Sequence, residues 1–227
     1  VNSTGLMAHR TRIKVCGITR TADAVAAVEE GVDALGLVFY APSPRCVDIE
    51  TAAQIAREVP AFVSVVALFV DAPEASVAAV IDRVRPDLLQ FHGAETAAYC
   101  RSFGRPYLKA IAVREGGSDQ VSLLAQADAY GDARGLLLDS YRPGVPGGTG
   151  ITFDWDLIPA RLRNHIVLAG GLTPGNVAEA IHRVRPYAVD VSGGVEQRKG
   201  IKDRAKIRQF IEQVQSSAGS QLGVGSA

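Results

Sequence analysis

The feature that most limits the fold of this chain is a regular alternation of short β-branched runs with longer alanine-rich segments of helical period. Strands are predicted at residues 13–16, 34–39, 62–69, 88–92, 107–113, 135–139, 166–169 and 188–192. Helices are predicted at 22–30, 51–58, 74–84, 95–103, 119–127, 175–184 and 203–213, with a weak helix after Asp154. Eight strands that are each followed by a helix predict an α/β fold, a single (β/α)8 TIM barrel with a parallel eight-stranded core.

The length of the chain agrees with one barrel. With 227 residues, of which 47% are hydrophobic, the chain can bury one large core. We expect one barrel domain at residues 12–215, between disordered tails at 1–11 and 216–227, because the two ends carry no hydrophobic periodicity.

Two of the predicted helices share a sequence pattern at an offset of 100 residues. Val77, Ala78, Ile81, Arg83, Val84, Arg85 and Pro86 recur as Val177, Ala178, Ile181, Arg183, Val184, Arg185 and Pro186. A repeat of four βα units would produce this pattern, and so would chance similarity between two helices rich in alanine and valine.

Composition excludes several classes of partner. Lys+Arg 24 and Asp+Glu 24 give a net charge of +0, which provides no basic surface for nucleic acid or anionic membranes, and a small polar ligand fits better. The longest apolar run, 62–70, is too short to span a membrane, and we expect no signal peptide.

Three widely spaced cysteines favour a reducing compartment, the cytoplasm. The histidines and cysteines lack metal-ligand spacing, so no structural metal is predicted.

Glycine pairs follow the last two predicted strands. They lie in the segments 169–172 (Ala-Gly-Gly-Leu) and 191–196 (Val-Ser-Gly-Gly-Val-Glu), which we call the two glycine loops. Backbone N–H groups at such loops can approach an oxyanion closely, although tight turns that need positive φ would also select glycine. Two pairs on adjacent loops of a barrel favour phosphate binding and therefore a phosphorylated substrate.

Three other strand ends or loops carry reactive or charged side chains. Cys16 ends the first strand, either as a catalytic thiol or as a small buried side chain, and Lys14 is expected to point into the barrel below it. Asp139 closes an apolar strand at the catalytic face, where a carboxyl group is costly unless it is paired or used as an acid or base. Arg45 lies in a proline-stiffened loop and is either a clamp for a substrate carboxylate or a solvated arginine. The segment 147–150 is a lid or a flexible loop.

Together these segments resemble the phosphoribosylanthranilate isomerase family. The resemblance rests on the two glycine loops and on the segments 14–19, 43–45, 90–93, 138–139, 147–150 and 153–155, which follow in the family's order. It covers about residues 12–213. Two departures are Phe91, where family members commonly have leucine, and Gly193 or Gly194, where a second serine is usual; either departure is expected to tune binding at most.

The resemblance implies an Amadori rearrangement of N-(5'-phosphoribosyl)anthranilate in tryptophan biosynthesis, with no cofactor. By position, Cys16 is implied as the general base and Asp139 as the general acid. The substrate-binding residues predicted with them are Arg45, His92, Gly171, Asp190, Ser192, Gly193 and Gly194.

This chemistry makes two demands on the catalytic pair, and it leaves two alternative functions and the oligomeric state open. Burial would have to raise the pKa of Asp139, and Lys14 or the first helix would have to lower that of Cys16. The alternative functions are another phosphosugar isomerase on this fold and a non-catalytic binding barrel. The protein is expected to be either a monomer or a homodimer.

Overall fold

The computed structural model describes residues 10–113, 119–140 and 152–219, and its core is a closed barrel of eight parallel strands. The strands are β1 (Arg12–Cys16), β2 (Ala34–Phe39), β3 (Ser64–Phe69), β4 (Leu88–Phe91), β5 (Tyr107–Val113), β6 (Gly135–Ser140), β7 (Ile166–Leu168) and β8 (Ala188–Val191). Each strand pairs with its neighbours in chain order, and β8 closes the barrel against β1. The predicted (β/α)8 barrel is confirmed.

Helices connect the strands on the outside of the barrel. They are α1 (Thr21–Glu30), α2 (Ile49–Arg57), α3 (Glu74–Val84), α4 (Ala97–Ser102), α5 (Gln120–Ala129), α6 (Ala160–Arg163), α7 (Val177–Val184) and α8 (Arg204–Gly219). The weak helix expected after Asp154 is a 3-10 turn at Trp155–Leu157 followed by the single turn of α6.

Side-chain caps explain where two helices differ from the prediction. The Asp48 carboxylate accepts a hydrogen bond from the Thr51 backbone N–H, so α2 begins at Ile49 rather than at residue 51. The Thr96 hydroxyl accepts one from the backbone N–H of Tyr99, which starts α4 at Ala97 rather than at residue 95.

Strand β3 also begins later than predicted, at Ser64 instead of residue 62. Phe62 is fully exposed and has a φ of 72°, a left-handed conformation that a β-strand does not contain. The apolar run therefore extends beyond the strand, because periodicity alone does not separate a turn residue from the strand that follows it.

The shared pattern of α3 and α7 has a structural counterpart at their ends. Arg85 and Arg185 both adopt the left-handed conformation, with φ of 55° and 53°, and both donate their backbone N–H to the isoleucine four residues earlier. The proline that follows each cannot continue a helix. The two segments thus stop their helices in the same way before β4 and β8.

The two ends of the described chain and one hairpin differ from the predicted helices and strands. Thr11 is buried, and α8 continues to Gly219, beyond the predicted end of the last helix at residue 213. Between β8 and α8 lies an unpredicted antiparallel hairpin, β9 (Glu196–Arg198) and β10 (Ile201–Lys202). Residues 1–9, 220–227 and the predicted lid at 147–150 lie outside the described residues.

Alternation along the strands separates the helix-facing core from the barrel interior. On β1, Ile13 and Val15 belong to the large core between strands and helices, whereas Lys14 and Cys16 point to the interior. The interior is apolar at its base and becomes polar towards the carboxyl ends of the strands. In the described part of the chain, no helix is long and apolar enough to cross a membrane.

Candidate active site

A cavity of about 200 Å³ opens at the carboxyl ends of the strands, where this fold places its active sites. All nine residues predicted for the site line it: Cys16, Arg45, His92, Asp139, Gly171, Asp190, Ser192, Gly193 and Gly194. Apolar side chains complete its wall, among them Val38, Leu68, Val70 and Leu172. The structure therefore brings together residues that are up to 178 positions apart in the sequence, Cys16 and Gly194.

Cys16 lies at the cavity wall with 6% of its surface exposed, above a buried ion pair. Lys14 Nζ donates to Asp190 Oδ1 at 3.0 Å, because the two residues are direct partners on the neighbouring strands β1 and β8. The Cα partner of Cys16 on β2 is Gly36. A β-carbon at Gly36 would lie 2.7 Å from the Cys16 Sγ and 3.1 Å from Lys14 Nζ, so the thiol and the ammonium need a glycine there.

The charge state of Cys16 differs from the expectation. Burial raises the pKa of the Cys16 thiol, although the positive charge of Lys14 lowers it, as predicted. Burial opposes the charge of Lys14 as well, but the charge and hydrogen bond of Asp190 counter this effect, and the pKa of Lys14 is raised. The thiol is therefore the favoured form of Cys16 at neutral pH, beside the ammonium group of Lys14.

Asp139 is held at the cavity by a histidine. His92 Nε2 lies 3.2 Å from Asp139 Oδ2, and Gln90 Nε2 lies 3.0 Å from His92 Nδ1. With the Gln90 amide in this orientation, its NH2 group donates to Nδ1, and the ring proton sits on Nε2, which donates to the carboxylate. Asp139 keeps 27% of its side chain exposed, so it is both oriented and reachable from the cavity.

Arg45 is a buried, paired residue rather than a solvated one. Its Nε and Nη2 atoms donate to Glu196 Oε1 and Oε2 at 2.7 and 2.8 Å, a bidentate ion pair that brings β9 against the loop after β2. Arg45 has 7% of its surface exposed and still lines the cavity. The alternative of a solvated arginine is wrong.

The two glycine loops meet at the far end of the cavity. Gly170 and Gly171 have φ of 86° and 65°, so the turn explanation applies to this pair. A β-carbon at Gly194 would collide with the carbonyl oxygen of Leu172, so the second pair allows a close approach of one loop to the other. Within the described residues, the backbone N–H groups of Gly171, Gly193 and Gly194 have no hydrogen-bond acceptor. Unpaired N–H groups that converge on a cavity can bind an anion.

Three residues of this site were not assigned a role from the sequence: Gly36, Glu196 and Lys202. An isolated glycine inside an apolar strand is a known sign of close approach and could have identified Gly36. Glu196 and Lys202 lie on the unpredicted hairpin, and no local pattern predicts their contacts. Phe91 is fully buried among the rings of the outer core and does not line the cavity, so any effect of this position on binding would be indirect.

No cluster of three or more His, Cys, Asp or Glu side chains in the described ranges is arranged to hold a metal ion. The reactive or charged side chains that line the cavity are the Cys16 thiol, the carboxyl groups of Asp139 and Asp190, the His92 imidazole and the Arg45 guanidinium.

The fold and this set of groups define a (β/α)8-barrel enzyme with a polar site at the carboxyl ends of its strands. Residues 13–213 match the family described as "PRAI: N-(5'phosphoribosyl)anthranilate (PRA) isomerase". The chain therefore belongs to the N-(5'-phosphoribosyl)anthranilate isomerase family, and it is an isomerase.

Individual relatives agree with this assignment. N-(5'-phosphoribosyl)anthranilate isomerase from Pseudomonas fluorescens strain Pf0-1 is 58% identical over 203 residues, which cover 89% of this chain and 98% of that protein. The crystal structure of phosphoribosyl anthranilate isomerase from Thermotoga maritima superposes with a TM-score of 0.82 at 38% identity, covering 91% of this chain and 99% of the other. A structure of this isomerase in complex with reduced 1-(o-carboxyphenylamino)-1-deoxyribulose 5-phosphate has a TM-score of 0.78 at 37% identity, with the same coverage of 91% and 99%.

Proposed function

We propose that the cavity catalyses the Amadori rearrangement of N-(5'-phosphoribosyl)anthranilate to 1-(2-carboxyphenylamino)-1-deoxyribulose 5-phosphate, with Cys16 as the general base and Asp139 as the general acid. The reaction itself is the family's step in tryptophan biosynthesis. The observation that carries the assignment of residues is that Cys16, Asp139, Arg45 and both glycine loops line one cavity.

The proposed chemistry needs one acid and one base on the sugar. Asp139 protonates the ring oxygen of the ribose, the ring opens, and the anthranilate nitrogen forms an iminium with C1'. The Cys16 thiolate then takes the proton from C2', which gives an enolamine that tautomerises to the aminoketone. The His92 Nε2–H faces Asp139 and stabilises the carboxylate that remains after its proton is given up.

The two ends of the substrate carry the charges that hold it. The phosphate is proposed to lie against the N–H groups of Gly171, Gly193 and Gly194, with the Ser192 hydroxyl nearby. The anthranilate carboxylate is proposed to pair with Arg45, which lines the cavity while its Nε and Nη2 atoms bind Glu196. Asp190 faces the cavity as the partner of Lys14, so we propose that it contacts the sugar without releasing that lysine.

The alternatives fit these residues less well. A histidine-pathway aldose–ketose isomerase is expected to use an aspartate at the end of the first strand, where this chain has Cys16. A non-catalytic phosphate-binding barrel would use the glycine loops but has no need for a thiol and a histidine-held carboxyl group in the same cavity.

We also propose that the protein acts in the cytoplasm on this small-molecule substrate, as a monomer or homodimer, without nucleic acid or membrane partners. The three cysteines support a reducing compartment, because none of them forms a disulfide. The net charge of +0 supports the absence of polyanionic partners.

The proposed function is tested by a turnover assay. The labile substrate is generated in situ, and its conversion is followed with purified enzyme. We expect turnover that inorganic phosphate inhibits competitively, since phosphate occupies the glycine loops. Absence of turnover would reject the function, and turnover without phosphate competition would reject the proposed phosphate site.

Replacing Gly194 with alanine is expected to raise the KM by about tenfold or more, the effect of losing a charged hydrogen bond. The new β-carbon collides with the Leu172 carbonyl oxygen and forces the two glycine loops apart. The inhibition constant of inorganic phosphate should rise in parallel, while kcat changes little. Gly131→Ala is the matched control, because its β-carbon meets only one atom, at 3.5 Å, ahead of β6 at the other end of the barrel.

Replacing Arg45 with alanine is expected to reduce kcat/KM by an amount equivalent to about 1.5–3 kcal/mol of transition-state stabilisation. Arg45→Lys should not restore kcat/KM, because lysine lacks the planar guanidinium group that forms two parallel hydrogen bonds. A product analogue without the aromatic carboxylate should bind the wild type and both variants almost equally. If the variants lose affinity for both ligands alike, Arg45 does not bind the carboxylate and acts through folding or net charge.

A further inference from the structure

We infer that Glu196 is a positioning residue that fixes the guanidinium of Arg45 at the cavity and thereby sets the selectivity of the enzyme for a carboxylate on its substrate. This inference rests on the proposed function, since it concerns the ligand that Arg45 is proposed to bind. Glu196 does not itself line the cavity.

The contact between Glu196 and Arg45 determines the orientation of the guanidinium plane. Oε1 accepts from Nε at 2.7 Å and Oε2 accepts from Nη2 at 2.8 Å, so both carboxylate oxygens hold the same edge of the fork. Two parallel hydrogen bonds prevent rotation, whereas one would act as a pivot. Because Arg45 also lines the cavity, Glu196 fixes the plane in which the guanidinium meets a ligand there.

Glu196 is itself held by several donors. Oε1 also accepts from Lys202 Nζ at 3.1 Å and from the Gly200 backbone N–H at 3.3 Å, while Lys206 Nζ donates to the Glu196 carbonyl oxygen at 2.8 Å. Burial opposes its ionisation, but the hydrogen bonds from Arg45 and Lys202 outweigh this effect and lower the pKa of Glu196. The carboxylate therefore stays charged and fixed, and it transmits this rigidity to Arg45.

Lys202 connects this arrangement to the glycine loops. Besides Glu196, its Nζ donates to the carbonyl oxygen of Ser192 at 3.2 Å, directly ahead of Gly193 and Gly194. One buried chain of contacts thus runs from Arg45 through Glu196 and Lys202 to Ser192.

The variant Glu196→Gln tests the inference with minimal change in shape. Among the described residues, Oε1 accepts from three donors and Oε2 from one, so the amide oxygen will take the place of Oε1 and the NH2 group that of Oε2. There the NH2 group faces the Arg45 Nη2–H, donor against donor, and one half of the fork is lost. The matched control is Glu50→Gln, because Glu50 makes the same bidentate contact with Arg83, at 3.1 and 2.8 Å, on the exposed surface of α2 and α3.

The readout is the affinity for two ligands measured side by side. We expect Glu196→Gln to weaken binding of the reduced product, 1-(o-carboxyphenylamino)-1-deoxyribulose 5-phosphate, by about tenfold or more. Binding of the analogue in which hydrogen replaces the carboxylate should change less than about twofold, and Glu50→Gln should alter neither. In the background of Arg45→Ala, adding Glu196→Gln should cause less than about a twofold further loss, because a residue that acts only through Arg45 has no separate effect.

Equal loss of both ligands, or losses that multiply in the double variant, would overturn the inference and leave Glu196 as a structural residue. Thermal unfolding identifies variants that fail to fold. If Glu196→Gln is among them, Glu196→Asp replaces it, since the shorter carboxylate keeps its charge but cannot reach both Nε and Nη2.

The proposed function is judged separately. It fails if the wild type shows no turnover, whereas turnover without a carboxylate-selective loss overturns only the role of Glu196.

Discussion

Replacing Cys16 with alanine is expected to lower kcat by about 10²–10⁴, the contribution of a well-placed general base. The KM should stay within a few fold, because the thiol is proposed to act on the C2' proton and not to hold either charged end of the substrate. Steady-state kinetics with substrate generated in situ measure both constants. Cys100→Ala is the control, since Cys100 is another buried cysteine but does not line the cavity. A kcat near that of the wild type would remove Cys16 from the mechanism.

The same role makes the reactivity of Cys16 depend on pH in a defined direction. Burial raises the pKa of Cys16, so the thiolate is the minor form at neutral pH and increases about tenfold with each pH unit below that pKa. The rate at which a thiol-alkylating reagent inactivates the wild type should therefore rise from neutral pH towards pH ~9, near the usual pKa of a thiol. Lys14, Asp190 and Lys202 also act on the thiol, with the two lysines favouring the thiolate and Asp190 opposing it. The residual activity of Cys16→Ala should not show this pH-dependent inactivation, and the wild-type kcat/KM should rise less steeply than the inactivation rate, because the reaction also needs the proton of Asp139.

Replacing Asp139 with asparagine is expected to reduce kcat by about 10²–10⁴, since the amide cannot supply the proton that opens the ribose ring. The substitution preserves shape and leaves an amide oxygen to accept from His92 Nε2, so binding of the reduced product should change little. Rapid-mixing or steady-state assays provide kcat, and equilibrium titration provides the affinity.

A matched control for this substitution is Asp128→Asn. Asp128 is exposed, pairs with Arg161, and lies ahead of β6 at the opposite end of the strand that carries Asp139. Its replacement should leave kcat unchanged. An Asp139→Asn enzyme that turns over within a few fold of the wild type would show that another group opens the ring.

The positions of Cys16 and Asp139 in one cavity could be predicted because each ends a strand of the barrel. In a closed parallel barrel all strand ends meet on one face, so strand order alone brings these side chains together. The glycine loops were predictable for the same reason, since they follow the last two strands. The contact between Lys14 and Asp190 also follows from this topology, although only the register of β1 against β8 places the two side chains opposite one another.

Other parts of the site depend on contacts that no local pattern encodes. Glu196 reaches Arg45 across 151 positions of sequence, and the hairpin that carries it contains only five strand residues. The place of Phe91 also depends on the strand: its neighbour Gln90 faces the interior, and the alternation of the strand turns Phe91 to the outer core. Helix caps and one left-handed residue, Phe62, place the ends of helices and strands away from their predicted positions. Hydrophobic periodicity does not locate single residues of this kind.

The burial of Cys16 has a further consequence for the lifetime of the enzyme under oxidative conditions. Oxidants and alkylating reagents attack the thiolate, and they must reach it from solvent. Only 6% of the Cys16 surface is accessible and its thiol form is favoured, whereas Cys46 in the neighbouring loop is exposed. The environment that keeps the proposed base mostly protonated therefore also shields it from irreversible oxidation, and Cys46 is the residue that such reagents meet first.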